Sequence, residues 1–501
     1  MSIVVLASRG LRGIDALEVM IEVSITRGLP RMLIVGLAET SVRESEHRVR
    51  SAIISSGFDF PLGRIVINLA PADMPKHTSR YDLPIALAIL IATRQIQSVV
   101  PHLSFECVGE LSLSGLLREV IGLLPIAQAC AKKQRIFICP KDGASEASRI
   151  KSLTVKQATS LQEVAKYLNG DLELNSPSIL PTHIVAQSET NYFLVKGQKV
   201  AKRALLVAAS GGHNMLMVGS PGTGKTMLAQ SIVGLLPPLS EAEAMESASI
   251  YSVAQGHGTT INWGARPFRA PHHSSSVSAL LGGGVIPKPG EISLSHHGVL
   301  FLDELTEMKR TTLESLRQPM ESGKVCISRT KYTSEFPARC MVVAAMNPCH
   351  CGYYGDEKRS CGGCNKESII SFRRKISGPI IDRFDIQIEL PREKIDLFDE
   401  QTQRESDVRQ AIQKAREIQI NRQGKLNAYL SNKELVAMSA LAPTQQKCYS
   451  HIIDSLHLSA RASVRLLRVA LTVNDFGQKK SIEEASLFEA ASYRSLDRHV
   501  S

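Results

Sequence analysis

The octapeptide Gly219-Ser220-Pro221-Gly222-Thr223-Gly224-Lys225-Thr226 constrains this chain more than any other feature. It follows the apolar run Met215–Val218 and leads into a helix-forming run, Met227–Leu235. A strand that passes through a glycine-rich turn into a helix is built to hold phosphate. Its backbone N–H groups wrap the anion at the helix N-terminus, where the dipole favours negative charge. In the full pattern G-x-x-x-x-G-K-[ST], the lysine reaches the β- and γ-phosphates and the hydroxyl holds Mg²⁺. Residues 219–226 therefore read as an ATP loop, with Lys225 on the phosphates and Thr226 on the metal.

Downstream, Gly298–Glu304 reads GVLFLDE, four apolar residues running into two carboxylates. A buried parallel strand ending this way aims Asp303 at the Mg²⁺ shell and Glu304 at the attacking water. Taken alone it is also compatible with a strand and a solvated turn; its company with the phosphate loop favours catalysis. A second apolar strand, Met341–Met346, ends in Asn347-Pro348. Its amide is placed to orient the water or sense the γ-phosphate, and a plain Asn-Pro turn is the other reading.

Composition narrows the class. A chain of 501 residues has room for about three domains. With 43% apolar and 21% charged residues it is not a disordered chain, and 5% aromatics argues against successive base stacking. The net charge of +11 and pI near 9.1 fit a polyanionic partner or simply a basic enzyme. The longest apolar run, Leu83–Ala92, is about half the ~20 residues of a membrane helix, and no signal peptide is visible. A reducing cytoplasm, without membrane partners, is the expected location, so the ten cysteines are not expected to be disulfides.

Three regions separate by texture. Residues 1–170 mix strands and helices: Ile65, Ile67 and Leu69 alternate at period two, an apolar helix follows from Leu83, and Val42, Val49 and Ile53 share a helix face. Residues 171–190 read as a polar linker, and 191–395 hold the densest chemistry. Residues 396–501 are expected to be helical, with Val408, Ile412, Ala415 and Ile418 on one face and a capping box at Ser431 and Glu434. No internal repeat is present.

GSPGTGKT, GVLFLDE, AAMNP and SGPIIDRFD together resemble the AAA+ ATPases of the magnesium-chelatase-like and MCM-like branch. The stretches GLAETSVRES, NLAPADMPK, RPFRAPHHSSS and KPGEISLSHHGVLFLDEL look more specifically like the ComM/YifB competence family, from Leu6 to about Phe476. The resemblance implies an α/β AAA+ core with a helical lid, preceded by a Lon-protease-like α+β domain. It also implies a homo-hexameric ring with ATP and Mg²⁺ between subunits. Arg383 then matches the arginine finger and Arg461 the second sensor. Arg461, Arg465 and Arg468 form one helical stripe, for which a solvated basic face is the plainer reading at Arg468 and Arg465.

Cys349-x-Cys351 and Cys361-x₂-Cys364 form two close thiol pairs rich in glycine, suited to a structural tetrahedral Zn²⁺ with His350 a bystander. Cys107, Cys130, Cys139, Cys326, Cys340 and Cys448 read as small core residues.

RPFRAPHHS, Arg266–Ser274, reads as an exposed loop offering Arg266 and Arg269 to DNA. His272 and His273 either meet phosphates or serve the subunit interface. Lys324–Arg339 reads as a β-hairpin with Arg329 and Lys331 near its tip; the resemblance to MCM-like helicases implies that such a hairpin grips DNA phosphates, and a solvated hairpin that is merely basic is the other reading. In the N-terminal region Ser79 lies where a Lon-type nucleophile falls, but the matching lysine position is Leu124, and a serine without its base is a weak nucleophile.

The resemblance implies a ring-forming DNA helicase that promotes branch migration of recombination intermediates during natural transformation. Its partners would be single-stranded, double-stranded and branched DNA, with recombination proteins. The rivals are a chelatase-type protein-remodelling motor, an ATP-dependent peptidase, and a DNA-binding scaffold that ATP merely assembles.

Overall fold

The computed structural model describes residues 3–36, 44–72, 74, 76, 79–178, 191–255, 263–329, 332–356, 361–393, 405–494 and 496. Val42, Lys331 and residues 179–190 of the expected linker lie outside them.

The N-terminal region is built on a seven-stranded mixed sheet. Its strands are β1 (Ile3–Arg12), β2 (Asp15–Thr26), β3 (Arg31–Val35), β4 (Arg64–Ala70) and β5 (Phe105–Cys107), a small hairpin of β6 (Glu110–Leu111) and β7 (Leu117–Arg118) standing apart, then β8 (Ile136–Pro140) and β9 (Val155–Ala158). The order is β3-β4-β2-β1-β5-β8-β9. Val19, Ile21 and Val23 of β2 and Ile65, Ile67 and Leu69 of β4 are buried, as their period-two spacing requires. They share a core with the helix Asp82–Ala92, in which every residue from Asp82 to Ile91 is buried; a helix apolar all round has no face to give to water. Asp82 survives there because Arg48 donates to it at 2.7 and 3.2 Å. The first residues of the expected linker are not free: Leu174 is buried in this core, and Gln157 of β9 donates to the Asn175 carbonyl at 2.9 Å.

The central region carries a five-stranded, all-parallel sheet in the order β11-β14-β17-β10-β18. In chain order it holds β10 (Met215–Gly219), β11 (Phe268–Arg269), β14 (Val299–Leu302), β17 (Met341–Met346) and β18 (Ile386–Leu390). Two hairpins interrupt it, β12 (Gly282–Gly283) with β13 (Lys288–Pro289), and β15 (Lys324–Arg329) with β16 (Tyr332–Pro337). The three middle strands are buried throughout, so they read as continuous apolar runs without alternation. β17 lies between β10 and β14, so the segments that follow these strands emerge side by side at one sheet edge.

The described residues from 405 onward are mostly helical; Val408, Ile412, Leu466 and Leu487 close over the sheet in one core, and Ala415 is buried on the same helix as Val408 and Ile412. Ser431 and Glu434 form the expected capping box before the helix Asn432–Ser439. No helix among the described residues is long and apolar enough to cross a membrane.

The N-terminal and central regions are joined. Leu124 is fully buried with Leu239, Ala244, Ala248 and Trp263. The Arg149 guanidinium stacks 4.5 Å over Trp263, and the Gly122 amide donates to Ser252 of the helix Glu241–Gln255 at 3.0 Å.

Candidate active site

Ligands of an open parallel sheet bind beyond the carboxyl ends of its strands, and three such ends carry the polar residues here. After β10, the loop 219–226 runs into the helix Lys225–Leu235, with Gly222 and Gly224 at φ of +81° and +88°. Those left-handed conformations suit glycine and turn successive amides inward. Lys225 Nζ donates to the Gly219 and Ser220 carbonyls at 2.6 and 3.0 Å and lies 3.4 Å from Asn347 Oδ1. Burial lowers the pKa of its ammonium, which nearby Asp303 opposes.

After β14, Asp303 Oδ2 accepts from Thr226 Oγ1 at 3.1 Å, while Oδ1 accepts from the Glu304 amide at 2.9 Å. Thr226 and Asp303 thus sit as two oxygen donors on one side of the loop, the set a Mg²⁺ ion needs from protein beside substrate phosphates. Glu304 takes φ of +50°, a strained turn that sends its side chain, 54% exposed, away from Asp303's bonds and toward water. His273 Nδ1 lies 2.9 Å from Glu304 Oε2 and its ring stacks on His272 at 4.1 Å. Nothing in the local sequence pairs His273 with Glu304; the contact exists because the segment after β11 crosses the end of β14.

The two arginines expected to serve nucleotide lie elsewhere. Arg383 precedes β18 and Asn214 precedes β10, so both are at the opposite sheet edge, roughly 15 Å of strand away from Lys225. Arg383 is buried and donates to the Arg317 and Pro379 carbonyls at 2.9 and 2.6 Å and to Glu321 at 2.6 Å. Arg461 lines a cavity of 580 Å³ at this edge, together with Asn214, Glu321, Arg339, Asp385 and Arg465. Neither approaches this chain's own phosphate loop.

Arg465 and Arg468 are not a solvated face. Arg465 donates to Asp385 Oδ1 at 2.5 Å and to the Arg383 carbonyl at 3.2 Å, and Arg468 is half-buried. Burial alone would raise Asp385; Arg465 and His213 hold it well below the ordinary carboxylate range instead.

Two expected DNA contacts also need correction. Arg266 is buried, donating to the Pro237 and His297 carbonyls at 2.6 Å each and pairing with Glu243 at 3.4 Å. Phe268–Arg269 is an edge strand rather than a loop, and Arg269 makes a bidentate pair with Glu291 at 2.6 and 2.7 Å. Both guanidiniums are spent on the fold. Arg329, in contrast, is exposed at the end of β15.

The thiols of Cys349, Cys351 and Cys361 stand 3.3 to 3.8 Å apart, and the four sulfurs including Cys364 lie within 4.8 Å of one another. Tetrahedral Zn–S bonds of about 2.3 Å place sulfurs roughly 3.8 Å apart, so the set fits Zn²⁺. Hydrogen bonds from Cys351 and the Tyr354 amide outweigh burial and bring Cys349 to about 7, whereas its neighbours push Cys361 up to about 12.

A second group, Glu246, His296 and His297, also gathers three donor atoms within 4.8 Å. Here the Arg339 amide donates to His296 Nδ1 at 2.9 Å. Neutral His296 therefore carries its proton on Nε2, 3.3 Å from Glu246, and has no lone pair there for a metal. The trio ties the helix Glu241–Gln255 to the base of β14.

Ser79 donates to the Glu110 carboxylate, not to an amine. The Lys76 ammonium is held by the Leu69 and Pro71 carbonyls, and Leu124 is sealed between regions. Of the remaining cysteines, Cys107, Cys130 and Cys139 are buried as expected, but Cys326 is exposed on β15.

Sequence comparison covers nearly the whole chain. The profile described as magnesium chelatase, subunit ChlI, matches residues 192–398. Subunit ChlI of Mg-chelatase matches residues 21–143, and the ChlI C-terminal profile 402–494. The chain is 44% identical to the YifB protein of Escherichia coli over 99% of its own length and 98% of that protein's. It is 43% identical to competence protein ComM of Haemophilus influenzae over the same shares. A more distant match, 24% over 252 residues, is to the DNA replication licensing factor Mcm2 of Drosophila melanogaster, covering 47% of this chain and 23% of that one.

Proposed function

The chain belongs to the magnesium-chelatase-like ComM/YifB family, and from that premise we propose that it is a ring-forming, ATP-driven DNA motor of the AAA+ class. The observation that carries this reading is the separation of charges across the central sheet. Lys225, Thr226, Asp303 and Asn347 gather at one edge, whereas Arg383 and Arg461 lie at the other. Phosphoryl transfer is stabilised by positive charge on the transferring group. With Arg383 and Arg461 at the opposite edge, the site is completed by the corresponding edge of a second copy, which supports a closed homo-hexamer.

In that ring Lys225 and the loop amides bind the β- and γ-phosphates, and Thr226 and Asp303 hold Mg²⁺. Held by Thr226 and Asp303, Mg²⁺ would supply charge neutralisation for the transferring phosphoryl group. Glu304 polarises the attacking water and Asn347 positions it. Arg383 leaves Glu321 to meet the neighbour's γ-phosphate, and Arg461 links the C-terminal helices to that event as a lid. Cys349, Cys351, Cys361 and Cys364 hold a structural Zn²⁺.

The DNA reading rests on the basic net charge, on exposed Arg329 at the end of the β15–β16 hairpin, and on the relatives named for competence and replication licensing. We assign the activity as helicase-driven branch migration of recombination intermediates in natural transformation, in the cytoplasm and beside recombination proteins. The N-terminal unit is of the Lon-protease type without its peptidase chemistry, which the Ser79–Glu110 contact and the sealed Leu124 favour. The test is the ATPase rate with and without DNA beside strand movement on forked and four-way substrates. DNA stimulation with strand displacement is the expected result; the absence of both would reject the motor.

A further inference from the structure

The cysteine loop returns directly onto the phosphate loop. Asn347 and Cys349 are separated by Pro348 alone, and the Gly352 amide donates to the Cys349 carbonyl at 3.0 Å. Gly352 has φ of +85°, and a β-carbon placed on it would lie 3.0 Å from Pro221 Cδ, 3.2 Å from Pro221 Cγ and 4.0 Å from Asn347 Cγ. Glycine here lets the backbone lie flush against the Pro221 ring. Pro221 and Gly222 are otherwise exposed, and Gly222 has nothing within 4 Å of its β-position.

The far side of the cysteine loop is anchored. The Arg373 guanidinium sits 5.9 Å over the Tyr354 ring and reaches the Pro348 carbonyl at 3.5 Å, while Arg392 pairs with Asp356 at 3.5 Å. The loop is thus fixed to the helix Lys366–Arg373 and to the segment after β18, and its free edge is the one that bears on Pro221.

We propose that the four-cysteine loop is a clamp on the phosphate loop, with Gly352 and Pro221 its two jaws. A phosphate loop binds tightly when its amides are already converged, because ordering them on binding costs affinity. Gathering the four sulfurs on one cation holds Gly352 in place. Gly352 then limits the excursions of Pro221 and steadies Asn347 opposite Lys225. Nucleotide affinity therefore depends on the cysteine cluster through Gly352 and Pro221. The proposal rests on the four-thiolate zinc site proposed above.

The experiment uses full-length protein, zinc content by elemental analysis, and titration with a fluorescent non-hydrolysable ATP analogue. Gly352→Ala is expected to keep about one zinc per chain while analogue affinity falls at least fivefold. Pro221→Gly removes the opposing jaw and is expected to weaken binding similarly, and the double variant to be no weaker than either single one, since both break one contact. Chelation should weaken the wild type and leave Pro221→Gly nearly unchanged, a comparison that stands if Gly352→Ala does not fold. Full affinity in a zinc-loaded Gly352→Ala, additive losses in the double variant, or equal sensitivity of both proteins to chelation would overturn the clamp. A zinc-free wild type would reject the metal site, and the double-variant comparison would still decide whether the two jaws act together.

Discussion

Thr226 Oγ1 and Asp303 Oδ2 lie 3.1 Å apart, joining the first turn of the helix after the phosphate loop to the end of β14. In the proposed mechanism this pair holds the metal, and Glu304, one residue on and 54% exposed, polarises the water. Replacing Glu304 with Gln keeps the shape and removes the charge. Binding of an ATP analogue should change less than twofold, while turnover falls by on the order of 10²–10³. Phosphate release beside analogue titration checks this, and surviving turnover would assign the water to another group.

His273 Nδ1 lies 2.9 Å from the Glu304 carboxylate, and its ring packs against His272 at 4.1 Å. His273→Ala should lower kcat roughly three- to tenfold with KM little changed, since a positioning contact acts on the chemical step. A rise in KM alone would place His273 with substrate binding instead.

Arg465 and Asp385 form a nearly buried pair, 16% and 3% exposed. Arg465→Ala strands the carboxylate and should cost about 3 kcal/mol, read as a lowered unfolding temperature. Asp385 is held below its ordinary pKa, so its stabilising contribution is present above the unfolded value of about 3.9 and is lost as pH falls toward the folded one. The stability gap between wild type and Asp385→Asn should accordingly stay constant from pH 7 to about 5 and narrow below about 4. A gap that widened on acidification would contradict the assignment.

Arg329 and Arg266 should part company on DNA. Arg329→Gln is expected to weaken DNA binding on every sequence and to reduce the slope of log affinity against log salt by about 1. Arg266→Gln should leave that slope intact and lower stability, because its guanidinium serves two carbonyls and Glu243 inside the protein. Anisotropy titrations at several salt concentrations, beside thermal melts, separate the two.

The parts of the fold that the sequence made readable are those governed by neighbours in the chain. Buried β17 and β10 show as unbroken apolar runs, β4 as alternation, and the Ser431–Glu434 cap as a four-residue signature. The hairpin of β15 and β16 was legible for the same reason. The ion pairs of Arg266 and Arg269, inside the mostly irregular segment Arg266–Ser274, were not, because two prolines and two arginines look solvated until the packing around them is known.

By itself the sequence determined the phosphate loop, the two carboxylates and the four-thiol cluster, since each is a local pattern whose chemistry follows from spacing. Only the tertiary structure decided which charges are available. Arg383 meets Glu321, Arg465 meets Asp385, Arg269 meets Glu291 and His273 meets Glu304 across separations from 22 to 80 residues. A guanidinium or imidazole is free or spent according to what the fold brings beside it, and no local pattern encodes that. The same holds for Gly352 against Pro221: each is an ordinary turn residue in its own segment, and only the return of the cysteine loop over the sheet edge makes them neighbours.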